Sequence, residues 1–156
     1  MICFAIVACL FLFTGPASSQ SYISNDTFLA TAVNVAKDTT VTNGTNFSSG
    51  AVRVSHPGYG AICAITVTFT RAAGSTSTLD FEFQCSYDSG TTYSTSYYVR
   101  LRPATNETAV SNVVRYTSLV YIYGISHLKL YRIVNNDATN AVTACNATVS
   151  FSVAAN

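Results

Sequence analysis

The chain has no tryptophan, one methionine and three prolines, and only 10% of its residues are charged. Its lysines are Lys37 and Lys129, and its glutamates are Glu82 and Glu107. Lysine and glutamate are the usual residues of solvent-facing helices, so the material for such helices is almost absent. A formal net charge of +1 offers no field for capturing nucleic acid or an acidic partner. No CxxC pair and no Cys/His cluster is present, which removes the usual zinc sites. No Gly-x-Ser-x-Gly elbow exists to present a nucleophilic serine. Gly58-Tyr59-Gly60 is a lone Gly-x-Gly with no helix after it to cradle phosphate. The acidic residues are too dispersed for a calcium loop or a paired-carboxylate glycosidase site. His56 and His127 are the only histidines, and no catalytic constellation assembles around them. The expectation is a non-enzymatic protein with no metal and no cofactor.

What is abundant is Thr, Ser, Asn, Val, Ala and Tyr. β-branched and aromatic residues suit a pleated, half-buried surface, and Asn, Ser and Gly suit turns. From Phe28 onward the hydrophobic pattern has period two. It predicts strands near Phe28–Ala36, Ala51–Val54, Ala61–Thr70, Leu79–Tyr87, Thr92–Arg102, Val110–Leu119, Ser126–Val134 and Val142–Val153. Leu79, Phe81, Phe83, Cys85 and Tyr87 fall on one face, with Asp80, Glu82, Gln84 and Ser86 on a wet one. The fold class expected is all-β: an antiparallel β-sandwich, jelly-roll or immunoglobulin-like, of about eight strands. At 156 residues this is one domain, placed at residues 28–156, with residues 20–27 a flexible lead-in.

Residues 2–13 form an almost unbroken apolar run, followed by small residues up to Ser19. The run is short for a membrane span and fits the core of a secretory signal, although no Lys or Arg precedes it. Residues 1–19 therefore read as a cleaved signal peptide or a retained hydrophobic anchor, a start codon placed too far upstream being the remaining reading. Membrane association follows only if residues 2–13 are kept.

Cys63, Cys85 and Cys145 share the parity of core residues on their strands. They read either as buried thiols or as one disulfide plus a leftover thiol, and the sequence does not choose the pair. Asp88-Ser89-Gly90 resembles the loop that carries an aspartic protease carboxylate. That chemistry needs two such aspartates, and Asp-x-Gly between strands is ordinary hairpin material. Tyrosines crowd the middle of the chain, and Tyr98, Arg100 and Arg102 line up opposite Val99 and Leu101. Amphipathic rings beside arginine suit an interaction surface, with subunit packing ahead of sugar or nucleic-acid stacking. Asn25, Asn43, Asn46, Asn106 and Asn146 lie in glycosylation sequons, acceptors only if the protein is exported from a cell that glycosylates.

The stretch Gly74-Ser75-Thr76-Ser77-Thr78-Leu79-Asp80-Phe81 through Asp88-Ser89-Gly90-Thr91-Thr92-Tyr93 resembles a recurring segment of β-sandwich domains in tailed-phage virion proteins. Gly124-Ile125-Ser126-His127-Leu128-Lys129-Leu130 is similar to a later strand of those domains. Ser77 stands where proline is usual and Ser89 where glycine is usual. The resemblance implies a structural protein of the virion surface: a head decoration, head fibre or minor capsid protein packing with copies of itself and other virion subunits. It implies no catalytic residue, and eight basic residues spread over the whole chain speak against nucleic-acid binding. The apolar start points instead to a secreted structural, filament or adhesion subunit, with glycan as a further ligand class.

Overall fold

The computed structural model describes residues 22–55, 59–73, 75, 78–103 and 112–153. They form ten strands: β1 (Tyr22–Thr27), β2 (Val33–Val35), β3 (Thr39–Thr42), β4 (Ala51–Arg53), β5 (Tyr59–Thr70), β6 (Leu79–Ser86), β7 (Val99–Leu101), β8 (Val113–Tyr121), β9 (His127–Asn135) and β10 (Val142–Val153). One sheet runs β1-β10-β5-β8, with β2 also on β10; the other runs β3-β9-β6-β7, with β4 also on β9. Every pairing is antiparallel. The protein is an all-β antiparallel sandwich, and among the described residues there is no helix.

Alternation builds the core. Cys63, Ile65, Val67 and Phe69 on β5 and Cys145, Ala147, Val149 and Phe151 on β10 are all buried. From the other sheet come Leu79, Phe81, Phe83 and Cys85 on β6 with Leu128, Leu130 and Ile133 on β9. The layers interlock through aromatic rings: Phe69 and Phe81 lie 6.2 Å apart, and Phe28 and Phe83 5.0 Å apart. Tilted pairs at these distances add to what area burial gives.

Two slips in register decide which residues face outward. Between Glu82 and Phe83 the β6–β9 ladder jumps, because Glu82 pairs with Arg132 but Phe83 with Leu130. The extra residue on β9, Tyr131, reverses the parity of that strand. Leu128 and Leu130 point inward before it, Ile133 and Asn135 after it, so Arg132 points out. A second slip separates Thr143 from Asn146 on β10. There Ala144 takes a positive φ of 52°, so Val142 and Cys145, three residues apart, are both buried.

Several expectations need correction. Ten strands replace about eight, and Tyr22–Thr27 is strand β1 on the edge of β10, not a lead-in. Thr39–Thr42 is a strand that the hydrophobic pattern, with one apolar residue, did not announce. The predicted strand at Thr92–Arg102 shrinks to Val99–Leu101, because turn bonds claim what precedes it. The Ser94 amide and the Tyr98 amide donate to the Cys85 and Phe83 carbonyls, and the Ser94 hydroxyl donates to the Ser96 carbonyl. Phe28 and Leu29 lie outside any strand; both are buried, and Leu29 bridges to Ser49. The supposed wet face of β6 is closed: all eight residues of the strand are buried, whereas Tyr87, expected on the buried face, lies past the strand's end and is exposed. Residues 1–19, His56 and Asn106 lie outside the described residues.

Candidate interaction surface

The arginine row is the first test of the site predicted from sequence. β6 sits between β7 and β9, and the pairing puts Arg100 opposite Glu82 on one side and Arg132 opposite it on the other. Extending the β6–β7 register by one residue puts Arg102 opposite Asp80. Arg102 binds both Asp80 oxygens in a fork through Nε and Nη2. The Arg100 Nε donates to Glu82 Oε1 at 2.9 Å, and the Arg132 Nε donates to Glu82 Oε2. Glu82 is 1% exposed. The guanidinium groups form a lid over two buried carboxylates, and the hydrogen bonds to those carboxylates raise the Arg102 and Arg132 pKa values. Arg100 also lies over the Tyr97 ring at 4.4 Å. Arg100 and Arg102 are thus occupied within the chain and are not a free basic row.

Tyr98 leaves that row altogether. β7 begins only at Val99, so the alternation that would align Tyr98 with Arg100 is not in force. Its hydroxyl donates to the Tyr121 carbonyl on β8 at 2.8 Å. This bond joins the two edge strands β7 and β8, which lie on the same side of the sandwich. Among the described residues each pairs on one side only, β7 with β6 and β8 with β5.

Around this side gather the large exposed apolar residues. Among the described residues only Val113, at the other end of β8, lies outside it; the rest are Ile62, Tyr87, Tyr97, Tyr98, Leu119, Tyr121 and Tyr123. Ile62 pairs with Tyr121, and Leu119, two residues back, shares their outward face. The Tyr121 and Tyr123 rings lie 6.3 Å apart. Leu119 is 74% exposed and Tyr123 75%. Elsewhere the outer face of this sheet is polar, with Thr66 and Thr117 hydroxyls bonded at 2.8 Å. Ile62, Leu119 and Tyr121 thus form an exposed apolar patch on an otherwise hydroxyl-rich face. Of the exposed residues on this side, Tyr98 was named from the sequence. Ile62, Leu119 and Tyr121 were not, because strand alternation alone does not say which face of an edge strand stays uncovered.

The remaining candidates fall elsewhere. The Asp88 carboxylate accepts from the Ser86 hydroxyl at 2.7 Å, from the Thr92 amide at 2.9 Å and from the Thr92 hydroxyl at 2.6 Å. These bonds, those from Thr92 first, hold its pKa well below the ordinary carboxylate value. The carboxylate organises a turn. Gly90 follows with φ +83°, and a Cβ there would come within 3.3 Å of the Tyr93 hydroxyl.

Cys63, Cys85 and Cys145 are free and buried. Cys63 pairs with Phe151, six residues along β10 from Cys145 and therefore about 20 Å away. Cys85 stands in the other sheet opposite Leu128. Burial pushes the Cys63 and Cys145 thiols up to about 11 and about 12. Of the sequon asparagines, Asn43 and Asn46 brace the turn after β3 by accepting from the Ser49 and Thr42 amides. Asn46 is exposed, beside a shallow open groove of about 420 Å³ that Asn34 and Phe47 also line. The Asn146 side chain accepts from the Ala147 amide, and Asn25 lies on β1.

No family model and no curated protein matches the chain. Among solved structures, a chain from the disulfide-linked pili that form Bacillus endospore appendages is similar over 96% of this chain and 99% of that one. The identity is 11% and the TM-score 0.33, so the likeness transfers neither role nor residue.

Proposed function

We propose that this protein is a non-enzymatic structural subunit that works by packing against copies of itself at an exterior surface. The observation that carries this reading is the apolar patch around Leu119 and Tyr121, placed where, among the described residues, β7 and β8 leave their outer edges unpaired. Unprotected edges next to exposed apolar side chains favour association. The reading as a non-enzyme is supported by the use of Asp88 in its turn and of Arg100 and Arg102 over buried carboxylates. The test is the assembly state of the full chain by sedimentation and by imaging. Discrete multimers, shells or filaments are expected, and Leu119→Lys should reduce them. A monomer at every concentration, unchanged by that substitution, overturns the proposal.

The place of assembly that we favour is a virion surface, on the resemblance of residues 74–93 to tailed-phage structural domains. A secreted filament or adhesion subunit, for which glycan is a further partner, is the second reading, and the apolar run at residues 2–13 favours it. The intact mass of the native protein separates them. Loss of residues 1–19 sinks assembly in the cytoplasm, whereas retention of Met1 sinks simple secretion.

A further inference from the structure

The geometry points to one mode of packing: β8 pairs antiparallel with β8 of a second copy across a two-fold axis at Thr117, making the sheet continuous through the pair. This rests on the reading of the chain as a self-packing subunit. It goes further by naming the strand, the register and the symmetry.

The backbone of β8 fixes which groups are available. The Ile122 amide donates to the Ala61 carbonyl at 2.7 Å, and the β5–β8 register runs unbroken from Ile62↔Tyr121 to Thr70↔Val113. In an antiparallel ladder the bonded positions alternate. The even-numbered residues Val114 to Val120 therefore turn their amides and carbonyls to β5. The odd-numbered residues Val113, Arg115, Thr117, Leu119 and Tyr121 turn theirs away. Of the outward carbonyls, that of Tyr121 receives the Tyr98 hydroxyl, as this assignment requires.

Natural edges are blunted by proline, bulges, shortness or several charges. β8 is nine residues long, contains no proline, shows no slip against β5 and carries one charge, Arg115. Its outward side chains are Val113, Arg115, Thr117, Leu119 and Tyr121, all exposed.

A second copy suits this edge on charge, register and area. Residues that face each other in an antiparallel pair lie on the same side of the sheet. With the axis at Thr117 every outward backbone group meets an outward group, the Tyr121 carbonyl accepting the amide of Val113 of the partner subunit as a second donor beside the Tyr98 hydroxyl. Val113 then faces Tyr121 of the partner subunit, and Arg115 faces Leu119 of the partner subunit. Val113, the exposed apolar residue remote from the patch, gains the patch as its neighbour. The two Arg115 side chains stand four residues apart along the ladder, about 14 Å, and a net charge of +1 leaves the copies free of long-range repulsion. The side wall is about 30 Å long for nine residues and about 20 Å wide for two layers, roughly 600 Å² before side-chain relief. A standard interface takes about 800 Å² from each partner.

The register gives a direct test. In the full-length protein, Thr117→Cys places two thiols across the axis at about 5.5 Å between Cα atoms, within disulfide reach. Oxidised glutathione accepts the two electrons, its own disulfide is reduced to two thiols, and the pair closes. Thr117→Cys should give a covalent dimer, and Arg115→Cys should give none. In parallel, Thr117→Pro removes an outward amide and leaves the β5 ladder intact. It should weaken association at least tenfold by sedimentation, and Leu119→Ser should weaken it too, should the proline variant misfold. If the wild type assembles but Thr117→Cys cross-links no better than Arg115→Cys, this mode is overturned and subunit packing stands. If the wild type never assembles, both fall.

Discussion

Glu82 is the residue whose environment departs most from what its type suggests. A carboxylate at 1% exposure survives only with partners, and it has Arg100 and Arg132 on its two sides. The arginines are more than a third exposed, so water hydrates them if the acid goes. Glu82→Ala should therefore lower the unfolding free energy by about 1–3 kcal/mol, read from urea titrations. No change would mean that the lid is ornamental. At Asp88 the sign of the pH effect follows from a native pKa below the ordinary value of 3.8. A depressed carboxylate contributes stability above its unfolded pKa and loses it as pH falls through that value towards the native one. Asp88→Asn should flatten the loss of thermal stability on acidification below about pH 4. An unchanged acid slope would show that the turn does not depend on the charge. The thiols make a third case. Cys63 and Cys145, pushed up to about 11 and about 12 by burial, should resist a disulfide reagent in the native protein and react only as it unfolds. Rapid native labelling, or an intact mass two hydrogens short, would contradict buried free thiols.

At the scale of the strand, the two slips separate what was legible from what was not. Val142 to Val153 was readable as a strand because apolar and polar residues alternate from Cys145 to Val153. The slip at Ala144 left no mark, since the chain enters a left-handed conformation there without glycine or asparagine. Its Cβ is strained by about 1–2 kcal/mol at such an angle. Ala144→Gly should accordingly raise the unfolding free energy by up to about 1 kcal/mol, and Ala144→Val should lower it. The reverse order would show that the Ala144 amide bond to Asn34, at 3.1 Å, dominates the position. The slip on β9 was equally silent and had the larger consequence. Without it Arg132 would share a face with Leu128 and Leu130, and Glu82 would have one arginine. The short strand β3 escaped because its pairing partner, not its own sequence, creates it.

For the whole molecule, the few charges place a definite expectation on assembly. A sandwich assembled by salt bridges between copies would come apart as salt rises, since exposed pairs are screened within about 8 Å at physiological ionic strength. Here the arginines of the outer β6 face answer acids of their own chain, and the proposed contact side carries Leu119, Tyr121, Tyr123 and Ile62. Association driven by such a patch should hold or tighten with salt, because apolar burial is strengthened by excluded ions. Sedimentation between about 0.05 and 0.5 M sodium sulfate should show a dissociation constant that stays within a few-fold or falls. A tenfold weakening would mean that Arg115 or another charge holds the copies together, and the patch would lose its claim to the interface. The sequence pointed to surface packing because charge is scarce and tyrosines crowd the middle of the chain. It could not name this side, because the choice depends on which strand ends up at an edge, and that is a property of the fold and not of β8 alone.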